Sequence, residues 1–221
     1  MTDKKIVNEI LDDLTNVKEN LLTLSDDIWN NIDHNDTEKL EEGVQFKKSF
    51  NNIFQNFNTV SEQLAVLVRQ FIGLKEESVE QSKNDSENLR IITELNKEIP
   101  HAITESFTYK RPFAFTLCGT AFTNTTTWKD IYVTFLKYMY KFDSNIFASF
   151  LNNEDFVSSK MNKDFSKDKK ELRIAILIDG GIYAEVNHSA MHIARNIRKI
   201  LKMYNLSDDQ IQIYLRQDRN A

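Results

Sequence analysis

Cysteine, proline and glycine are all scarce in this chain of 221 residues, which contains one Cys, two Pro and five Gly. A single cysteine excludes an internal disulfide, and a metal site would need its other ligands from other residue types. Cys118 has no activating group beside it in the sequence, so we expect a structural thiol rather than a nucleophile. The shortage of helix breakers favours long helices and few tight turns.

Long apolar runs and glycine-rich motifs are missing as well. No window approaches the ~18 unbroken apolar residues of a transmembrane helix, and the N-terminal residues lack the apolar run of a signal peptide. The glycine patterns that cradle phosphates in nucleotide-binding proteins do not occur. Together with the lone cysteine, these absences predict a cytoplasmic protein without a membrane partner.

Charge is distributed unevenly along the chain. Residues 1–100 carry 11 basic and 20 acidic side chains, a net −9, whereas residues 101–221 carry 17 and 13, a net +4. Such asymmetry predicts two regions with different surfaces and partners. We therefore divide the sequence into a helical oligomerisation or docking region, 1–100, and a binding module, 101–221.

The first region is predicted to consist of long helices. Apolar periodicity predicts one helix over residues 4–32 and a second over residues 37–72 that ends at Gly73. The short polar break between them makes the two helices antiparallel neighbours. A third helix, starting near Asp85, is expected to end before Pro100.

The second helix carries a narrow apolar stripe whose members recur at alternating steps of three and four residues. This spacing is typical of a seam held against a partner helix. It predicts a coiled-coil-like hairpin that forms a homodimer or higher oligomer. The predicted interface residues are Phe50, Ile53, Phe57, Val60, Leu64, Leu67 and Phe71.

After Pro100 the pattern becomes mixed. Alternating apolar residues predict strands over 113–117, 172–178, 182–186 and 211–215, with a hairpin turn at Asp179-Gly180-Gly181. Helices are predicted to begin after the polar residues 124–127, at Ser144, and after Asn187 or Ser189. The order β-α-α-β-β-α-β predicts an α+β module behind the helical region.

Four segments of the second half carry a resemblance to known proteins. They read TWKDIYV at 127–133, FSKDKKELR at 165–173, GIYAEVNHSA at 181–190 and IQIYL at 211–215. They resemble a C-terminal module of uncharacterised bacterial and phage proteins, some of which are similar to restriction or defence components. The resemblance implies a bacterial or phage setting and no particular mechanism.

The last predicted helix carries a basic stripe opposite its apolar face. Lys and Arg at helical spacing suit a phosphate backbone, because they neutralise its charge and release condensed counterions. A solvated helix face, with basic residues near the favourable C-terminal end of the dipole, explains the same pattern. The stripe contains His192, Arg195, Lys199 and Lys202, with Arg198 beside it, and it could be widened by Lys110, Arg111 and the lysine-rich segment 160–170.

Two weaker patterns involve histidines and carboxylates. His188 and His192 are four residues apart with Glu185 nearby, but the sequence does not supply a convincing third ligand, so we expect no metal and no cofactor. Asp179 and Glu185 across the hairpin resemble the Asp and Glu-x-Lys pattern of restriction nucleases, but Asn187 stands where the lysine belongs. We therefore predict no catalytic residues.

The sequence predicts a non-enzymatic binding or regulatory protein of bacterial or phage origin. It oligomerises through its long helices and binds nucleic acid or another anionic partner through the basic helix. An alternative is a protein inhibitor or regulator, for example one acting against a defence complex, and a metal-dependent nuclease is less favoured. The alternative would bind a basic protein partner through acidic side chains such as Asp12, Asp13, Glu38, Glu41 and Glu42.

Overall fold

The computed structural model describes residues 4–73, 80–81, 84–158 and 162–218. The chain forms two compact units, Met1–Glu77 and Ser78–Ala221. The first is a pair of long helices, and the second combines antiparallel sheets with helices, which confirms the predicted α+β class. No helix among the described residues is both long enough and apolar enough to cross a membrane.

The first unit is an antiparallel helical hairpin of α1 (Lys4–Asn30) and α2 (Thr37–Ile72). The Asp36 side chain caps α2 by accepting hydrogen bonds from two backbone N–H groups of the first turn. Gly73 ends it in the left-handed conformation with φ +66°, which glycine adopts at no steric cost. The predicted limits of α2 are confirmed.

The two helices contact each other through a largely polar face. Val7, Leu11 and Ala65 form a small apolar cluster, but further along α1 the buried positions include Asn16 and Thr23. A salt bridge of 2.7 Å joins Lys18 Nζ to Glu62 Oε1 across the hairpin. The sequence periodicity predicted that the apolar stripes would be buried. The contact between α1 and α2 is instead formed by the helix faces next to those stripes.

The predicted seam of α2 consequently lies outside the contact with α1. The buried positions of α2 are Gly43, Phe54, Asn58, Ser61 and Ala65. Of the seam residues, Phe50 and Phe57 are half-buried, while the other five are exposed: Ile53, Val60, Leu64, Leu67 and Phe71.

The second unit contains two antiparallel sheets. The larger has the order β1-β4-β3-β8-β2, formed by β1 (Glu80–Gln81), β2 (Pro100–Ala102), β3 (Pro112–Leu117), β4 (Thr120–Thr123) and β8 (Ile211–Leu215). The smaller has the order β5-β7-β6, formed by β5 (Phe165–Ser166), β6 (Ala175–Asp179) and β7 (Ile182–Glu185). The helices are α3 (Asp85–Leu95), α4 (Trp128–Phe142), α5 (Ser144–Ser149) and α6 (Ala190–Met203).

The main core lies between the larger sheet, the smaller sheet and the helices α4 and α6. Phe115 and Phe122 stack on one face of the larger sheet with ring centroids 4.6 Å apart, and both are buried. The first turn of α4 is fixed by a capping box, in which the Thr127 hydroxyl accepts from Asp130 N and Thr127 N donates to the Asp130 carboxylate. The predicted strands β3 and β8, the hairpin of β6 and β7, and the helices α4 and α6 are confirmed.

Helix α3 covers the other face of the larger sheet. Leu95 packs with Ala114, Ala121 and Tyr214, so α3 belongs with the sheet rather than with the long helices that precede it. The two units therefore separate at residues 77 and 78 instead of the predicted 100 and 101. On α3 itself Leu95 is buried, whereas Leu89 is 65% exposed.

Several strands gave too little sequence signal to be predicted. Strands β2, β4 and β5 contain three, four and two residues. Pro100, read from the sequence only as a helix stop, begins β2 and pairs with Tyr214 of β8. Such short strands cannot display a period-two pattern, so their formation depends on pairing with the longer neighbours.

Candidate functional site on the last helix

Helix α6 is fixed on the core by one face. Ser189 caps it, with its hydroxyl accepting from His192 N at 3.4 Å. The residues that seat the helix are fully buried, and they include Ile193, Ile197, Ile200 and Leu201. The opposite face is thereby presented to solvent in a fixed orientation.

Three of the predicted basic residues form an exposed cationic stripe on that face. Arg195, Lys199 and Lys202 are exposed and follow one another at steps of four and three residues. Lys199 Nζ donates to the Asp155 carbonyl at 2.8 Å, which holds its ammonium group near the surface without neutralising it. Among the described residues, no carboxylate lies within ion-pair distance of these three side chains.

Two other predicted members of the stripe have different surroundings. Arg198 Nε pairs with Asp208 Oδ2 at 2.8 Å, which joins α6 to the turn before β8. Burial lowers the pKa of His192 well below its ordinary value, and the neighbouring His188, Arg195 and Lys199 lower it further against the opposing charge of Asp164. His192 is therefore uncharged near neutral pH and adds nothing to the stripe.

The remaining basic candidates lie on loops around the helix. Lys110 and Arg111 are half-buried at the end of a loop that reaches α6, where Phe107 N donates to Met191 Sδ. In the lysine-rich segment, Lys163 pairs with Glu171 at 2.8 Å, and Lys167, Lys169 and Lys170 are exposed. Residues 159–161 of that segment, Lys160 among them, lie outside the described residues.

A second cluster, formed by Asp164, His188 and His192, adjoins the start of α6. The two imidazole rings stack in parallel, with centroids 4.1 Å apart and an angle of 2° between planes. His188 Nε2 lies 3.4 Å from Asp164 Oδ1. One potential ligand atom from each of the three residues lies within 4.8 Å of the other two.

Backbone and side-chain hydrogen bonds fix Asp164 in this cluster. Its N–H donates to the Phe156 carbonyl and its carbonyl accepts from Glu185 N, both at 2.8 Å. Asn196 Nδ2, one turn beyond His192, donates to Asp164 Oδ2 at 3.1 Å. Burial opposes ionisation of Asp164, but its contacts with the two histidines and Asn196 outweigh burial and lower its pKa.

His188 itself is 4% exposed. Its Nε2 atom is buried and forms no hydrogen bond with any described residue, although Asp164 Oδ1 lies 3.4 Å away. Buried polar atoms without a partner are uncommon in folded proteins, and each one calls for an explanation.

The sequence did not identify Asp164, because it lies in a lysine-rich connection far from the histidines along the chain. The nearby candidate, Glu185, has another role. Its buried carboxylate accepts hydrogen bonds from Arg173 N at 2.6 Å, Asn187 N at 2.8 Å and Ile174 N at 3.2 Å. Glu185 therefore joins the chain entering β6 to the chain leaving β7.

The hairpin places Asp179 and Glu185 at its two opposite ends. Asp179 pairs with Ile182 at the turn, whereas Glu185 pairs with Ala175 at the opposite end. Four residues of strand separate Asp179 from Ala175, a distance of roughly 13 Å at ~3.3 Å per residue. Two oxygen ligands of one Mg²⁺ lie at most about 4 Å apart, so this backbone separation does not favour the nuclease interpretation of the pair.

Comparison with known proteins finds no matching family model, and no curated protein or solved structure shows significant similarity to the chain.

Proposed function

We propose that this protein binds a polyanion, foremost nucleic acid, through the cationic stripe of Arg195, Lys199 and Lys202, and that it acts without catalysis. The observation that carries the proposal is that all three charges are exposed on a helix whose other face is buried, with no carboxylate of a described residue within ion-pair distance. The backbone that carries these cations is already ordered, so binding a phosphate backbone restricts only the side chains.

Three phosphate contacts provide limited affinity. Each contact on duplex DNA contributes about 0.9 to the slope of log affinity against log salt concentration, so three give a slope of roughly −2.7. Two linked copies would reach about twice that slope, and their joint binding would raise the apparent affinity. The proposal therefore includes self-association.

The helical hairpin supplies the surface for that association. Twelve of the 17 large apolar side chains that are exposed on the described residues lie between residues 4 and 73. On α2, Leu67 is 64% and Phe71 92% exposed, at positions that repeat with coiled-coil spacing. Such a stripe fits the same stripe of a second copy, because the spacing then matches along its whole length.

The nucleic-acid proposal is tested by fluorescence anisotropy with a labelled duplex between about 50 and 200 mM salt. The double variant Lys199→Glu/Lys202→Glu is compared with Lys137→Glu/Lys141→Glu, which changes two exposed lysines on α4 by the same total charge. We expect the α6 variant to lose more than tenfold in affinity and the α4 control to lose much less. Equal losses, or no binding by the unmutated protein, would refute the proposal.

Self-association is tested by sedimentation of Leu67→Glu beside Gln63→Glu. Both positions are exposed and neighbouring on α2, so the variants add the same charge and differ in whether an apolar seam residue is removed. Only Leu67→Glu should shift the protein towards the monomer. A monomeric unmutated protein at micromolar concentration would contradict this part of the proposal.

The alternative, a regulator that binds a basic protein partner through acidic helices, is supported by the exposed Glu38, Glu41 and Glu42 at the start of α2. We likewise propose that the protein comes from a bacterium or phage and is located in the cytoplasm. If both α6 and α4 variants bind nucleic acid no worse than the unmutated protein, the acidic hairpin becomes the surface to study.

A further inference from the structure

The cluster of Asp164, His188 and His192 has no part in the proposed polyanion binding. We propose that it binds one divalent transition-metal ion of the Zn²⁺ class, contrary to the sequence-based expectation of no metal. Two imidazoles and one carboxylate are ligands that Zn²⁺ and its neighbours Co²⁺ and Ni²⁺ accept readily. Three protein ligands would leave a further position for water.

The spacing of the ligand atoms is close to what such an ion needs. Bonds of about 2.0–2.2 Å in a tetrahedral site place neighbouring ligand atoms roughly 3.3–3.5 Å apart. His188 Nε2 and Asp164 Oδ1 already lie 3.4 Å apart. One ligand atom from each of the three residues lies within 4.8 Å of the other two, so a small rearrangement brings all three within reach of one ion.

The unpaired Nε2 of His188 is an independent observation that points to a ligand. This atom is buried and has no hydrogen-bond partner among the described residues. A neutral imidazole nitrogen with a free lone pair is the form that coordinates a metal. A bound cation would provide the partner that the surrounding side chains do not.

The ring stack defines the movement that binding requires. Because the two imidazole planes are parallel and stacked, their in-plane lone pairs lie in two separate planes and cannot both be directed at one ion. His188 is held in the core, whereas His192 is only partly buried on the first turn of α6. Metal binding therefore requires the His192 ring to rotate out of the stack.

The surroundings of Asp164 are those of a supported ligand. Asn196 holds Oδ2 at 3.1 Å, which leaves Oδ1 directed towards His188. The same Asn196 amide lies 3.4 Å from the hydroxyl of the fully buried Tyr132. Such outer hydrogen bonds orient metal ligands and commonly change affinity by about 10–100-fold when removed.

The test uses untagged full-length protein titrated with Co²⁺, followed by visible absorption, and then with Zn²⁺ as competitor. We expect one Co²⁺ per chain, displaced by Zn²⁺, and a loss of more than tenfold in affinity for His192→Ala and for Asp164→Asn. His101→Ala is the control, because His101 contacts the two carboxylates of Glu105 and Asp218 and should not affect binding. Uptake below a tenth of an equivalent, or unchanged affinity in both cluster variants, would overturn the proposal.

A second measurement decides the matter if a cluster variant fails to fold. The chain has four histidines, so their ring signals can be followed individually by NMR in the unmutated protein. Because a paramagnetic effect falls steeply with distance, Co²⁺ should shift or broaden the signals of its ligands His188 and His192 more strongly than those of His34 and His101. Equal effects on all four histidines would mean surface binding only and would refute the site.

Discussion

Glu185 offers the sharpest test of how the second unit is held together. Its side chain is 2% exposed and accepts hydrogen bonds from three backbone N–H groups, those of Arg173, Ile174 and Asn187. Replacing it with alanine leaves three donors without their acceptor. Each unsatisfied buried donor costs about 1–3 kcal/mol, so with partial rescue by water we expect Glu185→Ala to destabilise the unit by about 3–5 kcal/mol.

A second variant separates the charge from the hydrogen bonds. Glu185→Gln keeps one carbonyl oxygen but turns an NH₂ group towards a donor, so we expect an intermediate loss of about 1–3 kcal/mol. Glu154→Gln removes an exposed carboxylate in the same unit and should change stability by less than about 0.5 kcal/mol.

Urea unfolding followed by tryptophan fluorescence measures these changes. The chain has two tryptophans, Trp29 in α1 and the buried Trp128 in α4, so a Trp29→Phe background makes the signal specific to the second unit. The order of stability should be Glu154→Gln, then Glu185→Gln, then Glu185→Ala. A loss below about 1 kcal/mol for Glu185→Ala would refute the reasoning, since the three donors would then have other partners.

Two further predictions concern a histidine and a glycine. Burial favours the neutral ring of His101, but Glu105 and Asp218 outweigh it and raise its pKa, so the stabilisation is complete below about pH 6.5 and is lost as the pH rises through the raised pKa. The difference in urea midpoint between the unmutated protein and His101→Gln should thus be larger near pH 6 than near pH 9, and a constant difference would contradict the ion pairs. Gly180 and Gly181 both have positive φ, but a Cβ at Gly180 would collide with the Tyr140 hydroxyl while one at Gly181 meets open space. Gly180→Ala should therefore lower the midpoint more than Gly181→Ala, and equal effects would show that backbone strain alone matters.

The parts of the fold that the sequence predicted well are those with a strong local signal. Helix α2 has a capping aspartate at one end and a left-handed glycine at the other, and both of its limits were predicted. Helix α6 buries the apolar stripe that its periodicity indicated. In α6 the apolar residues that set the helical period are also the ones that face the core. In α2 the local signals fixed only the two ends, and the buried face differs from the apolar stripe.

The parts that could not be predicted depend on contacts between distant segments. The face of α1 that meets α2 contains Asn16 and Thr23, which no apolar pattern would select. Asp164 joins the histidines only because β5 pairs with β7 and places the residue before it beside α6. Arg198 looked available in the sequence, and only the fold brings Asp208 to it.

Strand β8 has a consequence for the order of events during synthesis. It is the last described strand in chain order, yet it lies between β3 and β2 in the middle of the larger sheet. Strands β2 and β3 each pair with β8, so neither can form these hydrogen bonds until residue 215 has left the ribosome. Until then their edges stay open, so a chain stalled short of that point would expose them to chaperones and to other nascent chains.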